Sequence, residues 1–230
     1  MNKKLSIIIP VLNEEATLEK ILGQVKLAPV FDYEKEIIVV DDGSIDRTAE
    51  ILGSVKDKFN LIVLKHERRQ GKGMALRTGL ESVTGQAVII QDADLEYDPN
   101  DYQNLLKVFE ETGSVVYGSR NINPDKRGYS HYVLGSWLLT KVNNLLFNSK
   151  LTDTYTCYKL FPSNLIKSIS LKSNGFEIEA EMTAKILKRG EDIKEVPINY
   201  NPRKFKEGKK IRFKDGLLGL WTIIKYRIIN

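Results

Sequence analysis

Five short runs of β-branched and aliphatic residues, each followed by a helix-length amphipathic stretch, set the tightest limit on how this chain folds. Residues 5–9, 36–40, 61–64, 87–91 and 115–117 are apolar nearly throughout instead of alternating, the pattern of strands buried on both faces. Helical spacing fills the gaps, with Leu18, Ile21, Leu22 and Val25 in the first, and Ile51, Leu52 and Val55 in the second. Residues 73–83 form the third, and Leu105, Leu106 and Phe109 follow Pro99 in the fourth. Asn13 is expected to cap the first helix, and Ser44 or Asp46 the second. One helix between each pair of strands predicts an α/β, Rossmann-like fold with a mostly parallel central sheet flanked by helices. The second half is more mixed. It predicts a helix over 133–147, a short strand over 158–161, a helix from 175 to 188, an extended stretch over 193–200 and a very apolar helix over 215–229. No linker, repeat or compositional break divides the 230 residues, so a single domain is expected.

Several classes of protein are excluded early. Cys157 is the only cysteine, so no intrachain disulfide forms, and with two histidines no zinc site of the usual ligands can be built. The longest apolar stretch, residues 217–224, is far short of the roughly 20 residues that span a bilayer. The opening Met1-Asn2-Lys3-Lys4 runs straight into a strand, and no signal peptide is expected. Neither a Walker loop nor a dinucleotide fingerprint is present. Gly71-Lys-Gly73 opens a helix whose backbone could touch a phosphate, with a structural turn at least as good a reading. His66 and His131 are isolated and give no support to nucleophilic hydrolysis.

Open parallel sheets collect ligands at the carboxyl ends of their strands, and the polar signals fall there. The first strand ends in Pro10-Val-Leu-Asn-Glu14, the second in Asp41-Asp42-Gly43-Ser44, the fourth in Asp92-Ala-Asp94-Leu-Glu96 and the fifth in Gly118-Ser-Arg120. Each alone is compatible with turn and capping chemistry; four together point to one crevice. Two carboxylates at i and i+2 repel each other in a partly dry site, and a hard cation relieves that repulsion. Mg2+ or Mn2+ takes one or two carboxylates and completes its shell with water and phosphate oxygens. Asp92 and Asp94, with Glu96 as a possible third donor, are therefore the candidate metal ligands, suited to stabilising a diphosphate leaving group.

Three segments now carry a resemblance. Ser6-Ile-Ile-Ile-Pro-Val-Leu-Asn-Glu-Glu15, Val40-Asp-Asp-Gly-Ser-Ile-Asp-Arg-Thr48 and Gln91-Asp-Ala-Asp-Leu-Glu-Tyr-Asp-Pro99 resemble the signatures of family-2 glycosyltransferases with the GT-A fold. Gly175-Phe-Glu-Ile-Glu-Ala-Glu181, Glu195-Val-Pro-Ile-Asn-Tyr200 and Glu207-Gly-Lys-Lys-Ile211 are similar to the dolichyl- or polyprenyl-phosphate mannosyltransferase branch. The resemblance implies a nucleotide-sugar-binding half at 1–120, an acceptor-side half at 121–202, and a basic loop with a C-terminal amphipathic helix at 203–230. It places Pro10, Leu12 and Glu14 at the nucleotide base and ribose, and Val40 and Asp42 at the strand end closing on the base. Asp92, Ala93 and Asp94 fall on the metal and diphosphate motif. Arg120 falls on an arginine facing the phosphates or sugar, and Arg203 with Lys209 on a basic pair that covers the donor and meets the acceptor phosphate. Leu12 stands where tyrosine is commoner and Glu96 where glutamine is usual; Arg127 or His131 stands in for an expected arginine beside the acceptor.

The expected activity is inverting transfer of a hexose, by resemblance mannose from GDP-mannose, onto polyprenyl or dolichyl phosphate. A UDP-hexose is the other donor considered. A lipid monophosphate is largely dianionic at neutral pH, its second pKa lying near 6 by analogy with phosphorylated side chains, and needs charge neutralisation instead of a base. Residues 203–214 hold seven basic residues and one acid, while the whole chain is only +5, so this strip seeks phosphates. Transfer from a UDP- or GDP-sugar to a glycan hydroxyl is the alternative. That reaction needs a carboxylate base, for which Asp153 and Glu181 are the candidates, Asp153 the better placed by resemblance. A nucleotidyltransferase is a distant alternative, and the acidic strand ends speak against nucleic acid as partner. In the last helix Leu217, Trp221, Ile224 and Ile228 form an apolar stripe beside Lys225 and Arg227. The stripe suits peripheral contact with the cytoplasmic face of a membrane or packing against the rest of the protein.

Overall fold

A computed structural model of the chain describes residues 3–122, 130–203 and 213–229, with residues 130–133 and 213 described by their backbone alone. The strands are β1 (Lys4–Val11), β2 (Glu34–Asp41), β3 (Leu61–Lys65), β4 (Ala87–Ile90), β5 (Val115–Ser119), β6 (Lys159–Pro162) and β7 (Ile193–Pro197). They form one sheet in the order β3-β2-β1-β4-β6-β5-β7. Every neighbouring pair is parallel except those involving β6, which runs antiparallel to β4 and β5. Six strands therefore deliver their carboxyl ends to one edge.

The two faces are read directly from residue parity. Leu5, Ile7, Ile9 and Val11 of β1 pack with Ile37 and Val39 of β2 against α1 (Leu18–Leu27), α2 (Thr48–Phe59) and α4 (Tyr102–Thr112). Ile8, Ile38, Val40, Val88 and Ile90 face the other way, onto α3 (Lys72–Ser82), α6 (Ser163–Ser168) and α7 (Ile178–Lys188). Continuous apolar strands are thus used on both sides, as two-faced burial requires. Two long helices, α5 (Ser130–Phe147) and α8 (Phe213–Ile228), pack on α7 beyond the sheet, around Leu139, Ala180 and Ile223.

Local chemistry departs from expectation at Asn13. The first helix begins only at Leu18, with no side-chain cap. Asn13 instead takes a left-handed conformation at φ 51°, one that asparagine tolerates better than most residues. Its amide oxygen accepts from the Ile45 N–H at 2.9 Å and its own N–H donates to the Ser44 hydroxyl at 2.9 Å. The residue cross-links the loops after β1 and β2. Asp46 does serve the second helix, accepting from the Thr48 N–H at 3.0 Å.

Gly79 shows how closely α3 lies on the sheet. A Cβ there would stand 2.6 Å from Ile8 Cγ2 and 3.3 Å from Val40 Cγ2. Alanine gains about 1 kcal/mol of helix propensity over glycine, but overpacking a filled core costs about 1–3 kcal/mol. Gly79→Ala is expected to lower the urea midpoint; a raised midpoint would show that α3 can lift off β1 freely.

Candidate active site

The carboxyl edge brings together the four polar strand ends. After β4, Gln91 is wholly buried and its amide oxygen accepts from the hydroxyls of Tyr102 at 2.7 Å and Tyr158 at 2.6 Å. Tyr97 stacks on Tyr158 with ring centroids 4.8 Å apart. Between these two anchors the chain must turn sharply, and Leu95 is held at φ 63°, a conformation a leucine adopts only under constraint. The anchored turn presents Asp92 and Asp94.

Each of these acids has an internal cation. Asp92 pairs with Lys72 of α3 at 2.7 Å. Lys72 also lies 3.2 Å from Glu179 of α7 and donates to Cys157 Sγ at 3.0 Å, while Lys159 of β6 pairs with the same Glu179. Two lysines and two carboxylates thus share a nearly dry cluster. Burial alone would lower the Lys72 pKa, yet the carboxylates of Asp92 and Glu179, with Cys157, hold it well above the usual lysine value. Burial likewise opposes ionisation of Asp92, and Lys72 overcomes it, pulling that carboxyl below its usual range. Burial and the nearby Asp92 push the Cys157 thiol up, so it stays protonated and is no nucleophile.

Asp94 sits at the rim. Its Oδ1 accepts from the Glu96 N–H at 3.1 Å and its Oδ2 lies 3.0 Å from the Arg203 guanidinium. The same guanidinium is 3.1 Å from Glu14 at the end of β1. Glu96, considered as a third metal donor, accepts from the Arg203 N–H and the Tyr200 hydroxyl, both at 2.8 Å. Among the described residues no group of three or more His, Cys, Asp or Glu is disposed to hold a metal. The metal-binding capacity of the turn therefore rests on two hard carboxylates. That set fits a cation whose remaining ligands are water and diphosphate oxygens.

At the other strand ends, Val40 is wholly buried in the core, Ala93 and Glu14 are nearly so, and Pro10 and Leu12 are partly exposed. Asp42 accepts from the N–H groups of Gln70 at 2.8 Å and Gly71 at 2.7 Å, and His66 Nδ1 lies 2.7 Å away. Its carboxylate thereby fastens the loop before α3, where Gly71 adopts φ 105° against the Asn174 carbonyl. The neighbouring Asp41 accepts from the Ser44 N–H at 2.8 Å with one oxygen, and its buried Oδ2 has no hydrogen-bond partner. Sequence reasoning passed over Asp41 because adjacent acids look interchangeable until their partners are known. It passed over the Lys72 side chain because a glycine-flanked lysine reads equally well as a turn.

Arg120 forms a two-pronged pair with Asp153, at 2.6 and 2.8 Å, and lies 5.1 Å from the centre of the Tyr200 ring. Asp153 is wholly buried. Glu181 is also wholly buried; it accepts from the N–H groups of Lys172 at 2.8 Å and Ser173 at 2.6 Å and pairs with Lys185 at 2.5 Å. Burial tends to raise the Glu181 pKa, but these hydrogen bonds outweigh it and draw the carboxyl below the usual range. Lys209, Arg127 and the 207–211 motif lie outside the described residues, as does the side chain of His131.

Sheet order and strand directions, with β6 alone antiparallel, are those of the GT-A fold. The glucosyl-3-phosphoglycerate synthase of Mycobacterium tuberculosis shares this fold, with a TM-score of 0.74 at 20% identity over 99% of this chain and 81% of that one. The glycosyl transferase family 2 model matches residues 6–169, and the chain belongs to that family. It is 29% identical to the low-salt glycan biosynthesis hexosyltransferase Agl6 of Haloferax volcanii, over 98% of this chain and 53% of that protein. With the dolichol-phosphate mannosyltransferase of Pyrococcus furiosus it shares 25% identity over 90% of this chain and 59% of the relative. The chain thus spans little more than half the length of either.

The Arg120–Asp153 pair gives a stability test. Arg120→Ala strands a buried carboxylate and is expected to cost about 3–5 kcal/mol in urea unfolding, with part recovered in Arg120→Met/Asp153→Leu. Arg47→Ala, which breaks an exposed pair with Glu50, should change little. Equal losses from the two single variants would contradict the burial argument.

Proposed function

We propose that this chain transfers a hexose from a nucleoside diphosphate sugar to a polyprenyl phosphate, with inversion at the sugar carbon. The observation that carries the reading is the state of the two carboxylates that could have served as a base. Asp153 is clamped by Arg120, and Glu181 is sealed beneath the 172–173 loop. A sugar hydroxyl needs a base within reach of its proton; a phosphate with a second pKa near 6 is already ionised at neutral pH. The attacking phosphate oxygen forms a bond to the anomeric carbon as the bond to the diphosphate breaks, and no proton has to move.

On this reading, Asp41 Oδ2 offers the nucleotide base an acceptor with unused capacity, while Asp42 acts by fixing the loop before α3. Pro10, Leu12 and Glu14 flank the nucleoside, and Arg120 stands on the sugar and phosphate side. Asp94, with Asp92 braced by Lys72, would hold Mg2+ or Mn2+, which when bound neutralises charge on the departing diphosphate. Support for the cation comes from the synthase of the same fold, crystallised with Mn2+ or Mg2+ and UDP. Support for the acceptor comes from relatives named for dolichol phosphate and undecaprenyl phosphate. GDP-mannose is the donor we favour, with a UDP-hexose as the other. With labelled GDP- and UDP-sugars, polyprenyl phosphate and Mn2+, label should enter the organic phase and be released by mild acid. Asp94→Ala should reduce it to background, and Arg203→Ala should weaken it. Label found only in an acid-stable glycan would instead favour transfer to a hydroxyl.

We further propose peripheral contact with the cytoplasmic membrane face. No helix among the described residues is long and apolar enough to cross a membrane. Helix α8 docks through Ile223 and Tyr226 and leaves Leu217, Trp221 and Ile228 exposed, with Trp221 at 60%. Leu134, Trp137 and Leu138 of α5 are exposed as well, Trp137 at 50%. Apolar side chains beside Lys225 and Arg227, with the basic strip immediately upstream in sequence, suit an anionic lipid surface. The protein should float with anionic liposomes at low salt, and Leu217→Glu/Trp221→Glu should leave it at the bottom of the gradient. Flotation unchanged by that pair would remove α8 from the contact.

A further inference from the structure

The segment after β7 is laid across the acidic turn by a series of hydrogen bonds. Asn199 N–H donates to Asp101 at 2.6 Å, Tyr200 forms a β-bridge with Tyr97, and Asn201 N–H donates to the Glu96 carbonyl at 2.8 Å. Glu96 then receives the Tyr200 hydroxyl and the Arg203 N–H. Three residues on the turn side thus set the position of a single guanidinium. That group is delivered to Asp94 Oδ2 and Glu14, where a positive charge is needed if no other cation is there.

We infer that Arg203 is the exchangeable counter-ion of Asp94, which a divalent cation must displace. This rests on the assignment of Asp94 as a metal ligand. The two cations of the acid pair differ in a way that decides which one yields. Lys72 is 8% exposed and is shared by Asp92, Glu179 and Cys157. Removing it would strand Asp92 and leave Glu179 to Lys159 alone, an expensive change in so buried a cluster. Arg203 and Asp94 are 17% and 20% exposed, and Arg203 is more open to water than Lys72, so the Asp94 pair is the less costly of the two to open. Lys72 therefore stays as the permanent partner of Asp92, and exchange happens at Asp94. When it does, Arg203 keeps Glu14 as a partner and regains donors that can meet a phosphate. Binding at one place is then coupled to release at the other, and the coupling is reciprocal.

Mn2+ binding to the full chain, followed by electron paramagnetic resonance without sugar donor and again with saturating UDP or GDP, tests this without relying on catalysis. Arg203→Gln should bind Mn2+ at least about fivefold more tightly than the wild type in the donor-free measurement, the lower end of usual coupling between sites. Asp94→Asn should lose binding whether or not Arg203 is present. In the wild type labelled with 15N-arginine, Mg2+ should move the Arg203 Nε resonance towards its position in Asp94→Asn. Unchanged or weaker Mn2+ binding in Arg203→Gln, with Asp94→Asn still deficient, overturns the exchange and leaves the metal assignment standing. Wild-type Mn2+ affinity in Asp94→Asn removes the metal assignment itself. If neither wild type nor Arg203→Gln binds Mn2+ without nucleotide, the nucleotide-bound comparison decides by the same criterion.

Discussion

Two carboxylates held two residues apart at the end of a buried strand repel each other, and much of the structure around β4 answers that repulsion. Asp92 draws in Lys72 from α3, and Asp94 draws in Arg203 from beyond β7. Lys72 in turn shares Glu179 with Lys159, which ties α7 and β6 to the same point. Elements separated by more than a hundred residues in sequence are thereby fixed around one turn. The turn is also held sterically, by the buried Gln91 and the stacked Tyr97.

The first half of the fold was legible because burial on both faces leaves a simple trace. Residues of odd and even parity in β1 and β2 enter different cores, so these strands are apolar without alternation. The antiparallel β6 left a fainter trace. Its Lys159-Leu-Phe-Pro162 includes a lysine and a proline, and the distant Glu179, with the Tyr117 ring, makes a wholly buried lysine tolerable there. The capping role expected of Asn13 failed for a related reason. Asparagine favours both caps and left-handed turns, and the partner that selects between them, the loop at 44–45, is some thirty residues away.

The acids of the site show the same division. Position at a strand end singled out Asp42, Asp92 and Asp94 as candidates, but their tasks depend on who donates to them. Asp42 receives two backbone N–H groups and is a fastener, whereas Asp41 beside it keeps an unpartnered oxygen. Asp153 and Glu181, the two candidate bases in sequence with Asp153 the better placed by resemblance, are both engaged by structural partners. Such distinctions rest on contacts between distant segments, which residue type and spacing do not encode.

Helix α7 joins the chemistry to the outer surface. Every residue from Ile178 to Ala184 is buried, since the helix is covered by the sheet on one side and by α5 and α8 on the other. A helix enclosed all round has no solvated face for its acids, so Glu179 and Glu181 must each find partners inside. Glu179 finds them in Lys72 and Lys159. Glu181 finds Lys185, whose ammonium lies 4.2 Å from the ring centre of Tyr226 on α8, and the backbone of the 172–173 loop. Ala180, between the two acids, packs in the cluster with Leu139 and Ile223. Three consecutive residues therefore contact the charge cluster, the outer helices and the loop over α3. Helix α8 packs on the helix that holds Glu179 against Lys72. The apolar surface and the acid pair are consequently parts of one packed unit.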